Sequence, residues 1–139
     1  MLNDYVAYYP ILISNLTWSI KSSGGIDLKF NITNCTQNTI KYVYVTGYCL
    51  NAVEDRCHDE ISGKTTWTVR CIGPIEPCPT SINNFYEREK SCVGSYHFEN
   101  PIFYSHVARS IVFSSISIEY MDGKKTTLSE EILKKHRIR

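Results

Sequence analysis

The residues most capable of chemistry in this chain are its six cysteines and four histidines, since both types bind zinc. Structural zinc sites use short ligand pairs, so that a single turn presents two ligands to a tetrahedral ion. The spacing here is wider, with seven residues between Cys49 and Cys57, and Cys92 and His97 are the one close pair. The sequence therefore predicts no metal site.

A catalytic cysteine would need a histidine or a helix N-terminus to lower the pKa of its thiol. Cys57 and His58 are adjacent, but neighbouring residues on an extended chain point in opposite directions. No G-x-S-x-G, G-x-x-x-x-G-K or H-E-x-x-H motif occurs. We predict no catalytic, cofactor-binding or metal-binding residues and no cofactor, and we expect the chain not to be an enzyme.

Disulfide bonds are the other chemistry that the cysteines could perform, because an even number in a small β-rich chain favours them. Sequence cannot select among the possible pairings. Most of these residues are expected to be reduced and buried, filling strands as valine does. If one pair is oxidised, we predict Cys71 with Cys78, which bracket Ile-Gly-Pro-Ile-Glu-Pro.

Aromatic side chains are the candidate contact residues, because flat rings bury a large area at a small entropy cost. One set precedes Pro10, and the other lies in a segment with three prolines and no clear periodicity. Loops at one end of a β-sandwich commonly carry binding residues. The predicted contact surface consists of Tyr5, Tyr8, Tyr9, Phe85, Tyr86, Tyr96, Phe98, Phe103 and Tyr104.

A third aromatic set lies mainly on the longest predicted strand, residues 39–50, and allows two interpretations. Tyr42, Tyr44, Tyr48 and Trp67 could form an exposed platform for a sugar or a protein. Alternating tyrosines on a central strand are more often core residues whose hydroxyls reach the rim, and the core interpretation is favoured here.

The elements that position these residues are mostly strands. Residues 11–20, 39–50, 65–72 and 110–121 are rich in β-branched and aromatic side chains. In residues 26–33, Ile26, Leu28, Phe30 and Ile32 alternate with polar residues, which predicts one buried and one wet face. Asp122-Gly123 predicts a hairpin to residues 124–128. Thr127-Leu-Ser-Glu130 is a capping-box pattern that predicts a short helix over residues 130–137.

Regularly spaced short strands with Gly and Pro between them are typical of an all-β fold, a β-sandwich. We divide the chain into an N-terminal arm (1–10), the sandwich domain (11–128), and a C-terminal helix with a basic tail (129–139). Pro10 donates no backbone hydrogen bond and is unsuited to a central strand. We therefore expect the arm to order only against another subunit.

Composition excludes two classes of partner. Apolar residues at 42% and charged residues at 21% are ordinary for a folded globular domain. A net charge of +1 lacks the basic surplus of nucleic-acid-binding proteins. No stretch approaches the roughly 18 consecutive apolar residues of a membrane span. We expect neither a nucleic-acid partner nor a membrane span.

Five phrases in this order and spacing carry a family resemblance: residues 23–28, 39–45, 50–55, 73–77 and 118–123. They resemble an immunoglobulin-like domain family that recurs in uncharacterised proteins of gut Bacteroidetes and Firmicutes and their phages. Its members typically contain GG(V/I), KTIKY(I/V), YNAVGD, TGP and IEYMDG. The resemblance covers roughly residues 22–123 and implies the sandwich fold, but the family carries no known active site. No fixed cysteine framework is implied either, so these cysteines depart from the family pattern.

Two functional hypotheses follow. In the first, the chain is a structural or attachment component of a larger assembly, such as an accessory, decoration or fibre-associated protein of a phage virion, and its partners are protein subunits or further copies of itself. In the alternative, it is an exported surface or periplasmic module of a gut bacterium that binds glycan or protein.

The N-terminus bears on the choice between these hypotheses. Met1 to Asp4 contains an acid and no basic residue, unlike the start of a signal peptide. We therefore expect the chain to be made in the cytoplasm without a signal peptide. The exported alternative holds if Met1 is not the native start.

Overall fold

The computed structural model describes the backbone of residues 3–7, 10–78 and 92–135, and the side chains of residues 10–78 and 92–133. Within them, no helix has the length and apolar character needed to cross a membrane. The described elements are β1 (Asn3–Ala7), β2 (Ile11–Ile20), β3 (Ile26–Asn34), β4 (Ile40–Leu50), β5 (Trp67–Ile75), β6 (Val93–Phe98), β7 (Ser110–Tyr120), β8 (Lys125–Leu128) and α1 (Glu130–Lys135).

The strands form two antiparallel sheets, ordered β1-β2-β3-β6 and β5-β4-β7-β8. The chain changes sheet between β3 and β4, between β5 and β6, and again between β6 and β7. Strands β2, β3 and β6 thus take the places of A, B and E in an immunoglobulin-like sandwich, and β4, β7 and β8 those of C, F and G. The predicted sandwich with a short C-terminal helix is confirmed.

The interior between the sheets is built by strict alternation, most clearly on β3. Ile26, Leu28, Phe30 and Ile32 are all fully buried, and the residues between them face outward, with Lys29 exposed. The Phe30 ring lies 5.8 Å from the rings of both Phe98 on β6 and Phe113 on β7, measured between centroids. The predicted alternation of buried and outward residues on β3 is confirmed. The contacts of Phe30 join the two sheets in one apolar core.

The chain closes with the predicted hairpin and helix. Gly123 adopts a left-handed φ of 91°, and the Lys124 amide donates to the Asp122 carboxylate at 3.0 Å. This turn returns the chain from β7 to β8. Helix α1 then places Leu133 in the core and has two acids in its first turn, as the helix dipole favours.

The N-terminal arm differs from expectation. Residues Asn3–Ala7 form β1, which pairs with β2 in an antiparallel register that includes Val6 opposite Leu12 and Ala7 opposite Ile11. The idea that this segment orders only against another subunit is wrong for these residues, because the edge of β2 offers backbone partners within the same chain. Pro10 lies in the turn between the strands, where its missing N–H costs no ladder hydrogen bond.

The predicted Cys71–Cys78 pair is also wrong, since Cys78 is bonded to Cys92. Cys71 points into the core from within β5, opposite Val43, and is fully buried. The strand continues to Ile75, so four extended residues alone carry the chain about 13 Å past Cys71. Disulfide-bonded residues have Cα atoms within about 7 Å of each other; those of Cys78 and Cys92 are 5.0 Å apart.

The observed disulfide links the two sheets at one end. Cys78 follows β5 of the second sheet, and Cys92 directly precedes β6 of the first. Between them lies Asn34 at the end of β3, which donates its amide hydrogen to the Cys92 carbonyl at 3.0 Å and accepts from the Cys78 amide at 3.2 Å. The Asn34 side chain also donates to the Ile75 carbonyl at 2.9 Å. This buried asparagine therefore bridges the sheets beside the disulfide.

Replacing Phe30 with alanine should lower the free energy of unfolding by about 3 to 5 kcal/mol, because the ring is fully buried. Lys29→Ala, on the neighbouring exposed position, should change it by no more than about 0.5 kcal/mol. Urea unfolding measures both variants. Equal effects at the two positions would contradict the assignment of the faces.

Removing the disulfide with Cys78→Ser/Cys92→Ser should cost about 3 kcal/mol of stability, the value that chain entropy gives for a closed loop of about 15 residues. Cys35→Ser, at an exposed cysteine near the same end, is the control and should be close to neutral. Unfolding midpoints of the three proteins provide the comparison. A double variant as stable as the control would show that the bridge does not constrain the unfolded chain.

Candidate functional site

Four of the residues predicted as a contact surface have side chains that the structure describes, and one of these is buried and three are half-buried. Phe103 is only 1% exposed and belongs to the core, so its predicted contact role is wrong. Tyr96 and Phe98 are half-buried and pack on Phe30. The Tyr96 hydroxyl donates to the Ile72 carbonyl of β5 at 3.0 Å. These two rings cover the apolar core on the side of the sandwich between β6 and β5, where they shield it from water.

Among the remaining members of that predicted surface, the structure describes the side chain of Tyr104. Tyr104 is half-buried in the loop before β7. The Tyr5 side chain and residues Tyr8, Tyr9, Phe85 and Tyr86 lie outside the described part of the structure.

A different aromatic surface occupies the outer side of the second sheet. Strand β4 sits between β5 and β7, and its Val43 and Val45 point inward. The alternate residues therefore point out, where they pair with outward residues of β5. We call this surface the tyrosine face: Tyr42, Tyr44 and Thr46 of β4, and Thr68, Arg70 and Ile72 of β5.

The tyrosine face is held in place by its own side-chain contacts. The rings of Tyr42 and Tyr44 have centroids 6.0 Å apart. The Arg70 guanidinium lies 5.4 Å and the Lys41 ammonium 5.3 Å from the centre of the Tyr42 ring, within the range of cation–π attraction. Lys41 also approaches Glu119 of β7 at 3.9 Å. The rings are thus preorganised on a central strand instead of on a loop.

Small and apolar groups complete the tyrosine face. Thr46 and Thr68 share a hydroxyl hydrogen bond of 3.0 Å. On the β7 side, Tyr44 lies opposite Ser117, which has a short side chain. Ile72 is 58% exposed, unusually high for an isoleucine. The Tyr42 and Tyr44 rings beside it are half-buried.

The favoured sequence interpretation of the third aromatic set is therefore half correct. Trp67 is 3% exposed and packs edge-on against Phe113 at 5.8 Å, and Tyr48 is buried with its hydroxyl donating to Glu130 of α1 at 3.1 Å. Tyr42 and Tyr44 are not core residues. Pattern alone could not separate them, because the outer face of a central strand remains open when nothing is stacked on it.

The opposite end of the sandwich carries a polar clamp that joins three loops. Both ring nitrogens of His106 have acceptors, the Glu60 carboxylate at 2.8 Å and the Ser22 carbonyl at 3.0 Å. The His106 amide donates to the same carboxylate at 2.6 Å, and the Glu60 amide donates to the Tyr104 carbonyl at 2.9 Å. The Ser22 carbonyl and then the Glu60 carboxylate raise the pKa of His106, since both accept hydrogen bonds from the imidazolium.

The cysteines and histidines do not converge on a chemical site. Among the described residues, no three His, Cys, Asp or Glu side chains are grouped to hold a metal ion. Cys57 is buried and His58 exposed, consistent with their pointing in opposite directions. Burial raises the pKa of the Cys49 and Cys71 thiols to about 12, which keeps both protonated at neutral pH and suppresses their nucleophilicity.

An open groove of about 760 Å³ lies at the Asn34 end of the sandwich. Its walls combine hydroxyl, amide and ammonium groups with a few apolar side chains. The lining residues include Pro10, Thr36, Gln37, Asn38, Tyr120, Lys124, Lys125, Thr126 and Leu128.

The clamp predicts a specific pH dependence. A raised His106 pKa means that its contribution to stability is complete below the ordinary value of 6.5 and is lost as the pH rises through the folded value. The backbone and ring N–H donors of His106 lower the pKa of Glu60. The contribution of Glu60 to stability is therefore complete above its ordinary value of 4.5 and is lost as the pH falls through the folded value. The clamp should therefore be strongest between these two values.

NMR titration of the His106 ring tests this directly, and we expect a midpoint above 6.5 that falls in Glu60→Gln, which keeps an acceptor oxygen but removes the charge. His58→Gln, in the same loop but outside the clamp, is the control and should leave the His106 midpoint unchanged. A His106 midpoint at or below 6.5 in the unaltered chain would contradict the geometry.

Comparisons with known proteins place the chain in no group: no protein-family model, curated protein or solved structure matches it.

Proposed function

We propose that this chain is a non-enzymatic interaction module that serves as a structural or attachment component of a larger assembly. The observation that carries the proposal is the tyrosine face, with its half-buried and preorganised pair of rings on a central strand of the second sheet. The partner is a protein subunit that covers this face.

The energetics of the tyrosine face favour a protein contact. Tyr42 and Tyr44 are half-buried in the folded chain, and a partner would cover the part of each ring that remains accessible. The backbone of Tyr42 and Tyr44 is fixed by ladders to strands on both sides, so little conformational entropy remains to be lost on binding. Tyrosine and arginine are also the residues most enriched among energetically dominant interface positions.

The charges around the tyrosine face indicate the kind of partner surface that would complement it. Lys41, Arg70 and Lys125 project from this side of the second sheet, and Lys125 lies opposite Glu119 across the hairpin. Three cations against one carboxylate leave a positive surplus around the rings. An acidic rim on the partner would be complementary to it and would exclude basic competitors.

The more specific form of the proposal is an accessory, decoration or fibre-associated protein of a phage virion. It is supported by the sequence resemblance described above and by a fold in which a rigid sandwich presents a flat contact face. In this form, the partners are neighbouring virion subunits or further copies of the chain.

The second candidate is an exported surface or periplasmic module of a gut bacterium that binds glycan or protein. The Cys78–Cys92 disulfide favours it, since such bonds persist in oxidising compartments. The groove at the Asn34 end would then be the place for a sugar ring.

The test of the first candidate is co-sedimentation of the labelled chain with phage particles or cell envelopes prepared from its source. Tyr42→Ser/Tyr44→Ser should weaken binding by about 10- to 100-fold, as the loss of two interface tyrosines implies. Lys29→Ser/Asn31→Ser, on the outer face of the first sheet, is the matched control and should bind normally. Thermal melting establishes that both variants are folded.

Binding that survives the tyrosine substitutions in a folded protein would overturn docking through this face. Binding to immobilised glycans that is lost in Gln37→Ala/Lys124→Ala, with no binding to particles, would favour the second candidate instead. Recovery in purified particles or in the envelope fraction separates the two locations.

A further inference from the structure

Two further cysteines, Cys49 and Cys57, lie directly opposite each other in the second sheet. After β5 ends its pairing with β4 at Gly47, the chain beyond β4 folds back along the same edge. Leu50 forms an antiparallel bridge with Arg56, and the Cys57 amide donates to the Cys49 carbonyl at 2.9 Å. The bridge is isolated, and its antiparallel register, extended by one residue through this hydrogen bond, places Cys49 opposite Cys57.

Both side chains point into the core. Arg56 is on the outer side, where its guanidinium stacks 3.9 Å above the Tyr48 ring. Since alternate residues point to opposite sides, Cys57 after Arg56 and Cys49 after Tyr48 point inward. The burial agrees, because Cys49 is 0% and Cys57 4% exposed and both belong to the apolar core.

Directly opposed antiparallel residues have Cα atoms about 4.5 to 5.5 Å apart, and disulfide-bonded residues have Cα atoms about 4.4 to 6.8 Å apart. The spacing and the shared direction therefore both suit a bond. We propose that Cys49 and Cys57 are a site of covalent modification, forming a second disulfide when the chain folds in an oxidising environment. This inference is independent of the partner that covers the tyrosine face.

The reaction is a thiol–disulfide exchange with a small disulfide such as oxidised glutathione. The thiolate of one cysteine attacks a glutathione sulfur and releases one reduced glutathione. The second cysteine, also as its thiolate, then displaces the other glutathione, so two protein thiols are oxidised and two glutathione thiols are formed. The exchange takes place before the sheets close, because burial in the folded chain raises the pKa of Cys49 and blocks access.

The bond would attach the 51–55 turn covalently to β4. It would also shorten the free length of the loop that carries Glu60 and leads to β5. Cys71 provides an internal control, because it is equally buried but lies opposite Val43 and not opposite a cysteine.

The experiment refolds the fully reduced chain in a glutathione redox buffer, blocks free thiols with iodoacetamide under denaturing conditions, and maps tryptic peptides by mass. Arg56 separates the two cysteines, so cleavage yields peptides 42–56 and 57–64. We expect these two peptides to be recovered joined, with Cys71 alkylated. Cys57→Ser should abolish the joined species, and Cys71→Ser should leave it unchanged.

Recovery of both peptides separately alkylated, in protein whose Cys78–Cys92 bond has formed, would overturn the proposal. Pairing of Cys49 with Cys71 would overturn it as well. Because Cys78–Cys92 formation reports correct folding in the same digest, a misfolded sample cannot be mistaken for either result.

Discussion

The structure depends on one constraint, that alternate residues of each sheet must fill a single apolar interior. Phe30 shows this most clearly, because its ring touches residues of β6 in its own sheet and β7 in the other. Once the inward positions of β4 are fixed by Val43 and Val45, its remaining side chains have no choice of side. The outward direction of the tyrosine pair is thus a consequence of the core and not of local preference.

The two ends of the sandwich are secured by different chemistry. At one end, the buried Asn34 amide bridges the sheets beside a disulfide, where a missing partner would leave polar groups unsatisfied in the interior. At the other end, exposed hydrogen bonds to His106 join three loops and respond to pH. Both ends restrain loops, which leaves the tyrosine face as the broad preorganised surface in the described part of the chain.

Most strands could be predicted from the sequence, because periodicity and turn residues are local signals. β3 and the Asp122-Gly123 hairpin are examples. The pairing of Cys78 with Cys92 could not be predicted, since it depends on which strand ends meet in space. The same holds for Phe103, whose burial follows from tertiary packing, and for β1, which needs the free edge of β2. The candidate site was the least predictable part, because an outer face and a core face have the same two-residue period.

The central claim, that the tyrosine face is covered by a protein partner, is tested most directly by hydroxyl-radical footprinting. The isolated chain and the chain in its native assembly are oxidised under identical conditions. Tyr48 and Tyr120, both buried, serve as internal references. We expect Tyr42 and Tyr44 to be oxidised faster than these references in the isolated chain and to be protected in the assembly. Equal oxidation of these two rings in both samples would contradict it.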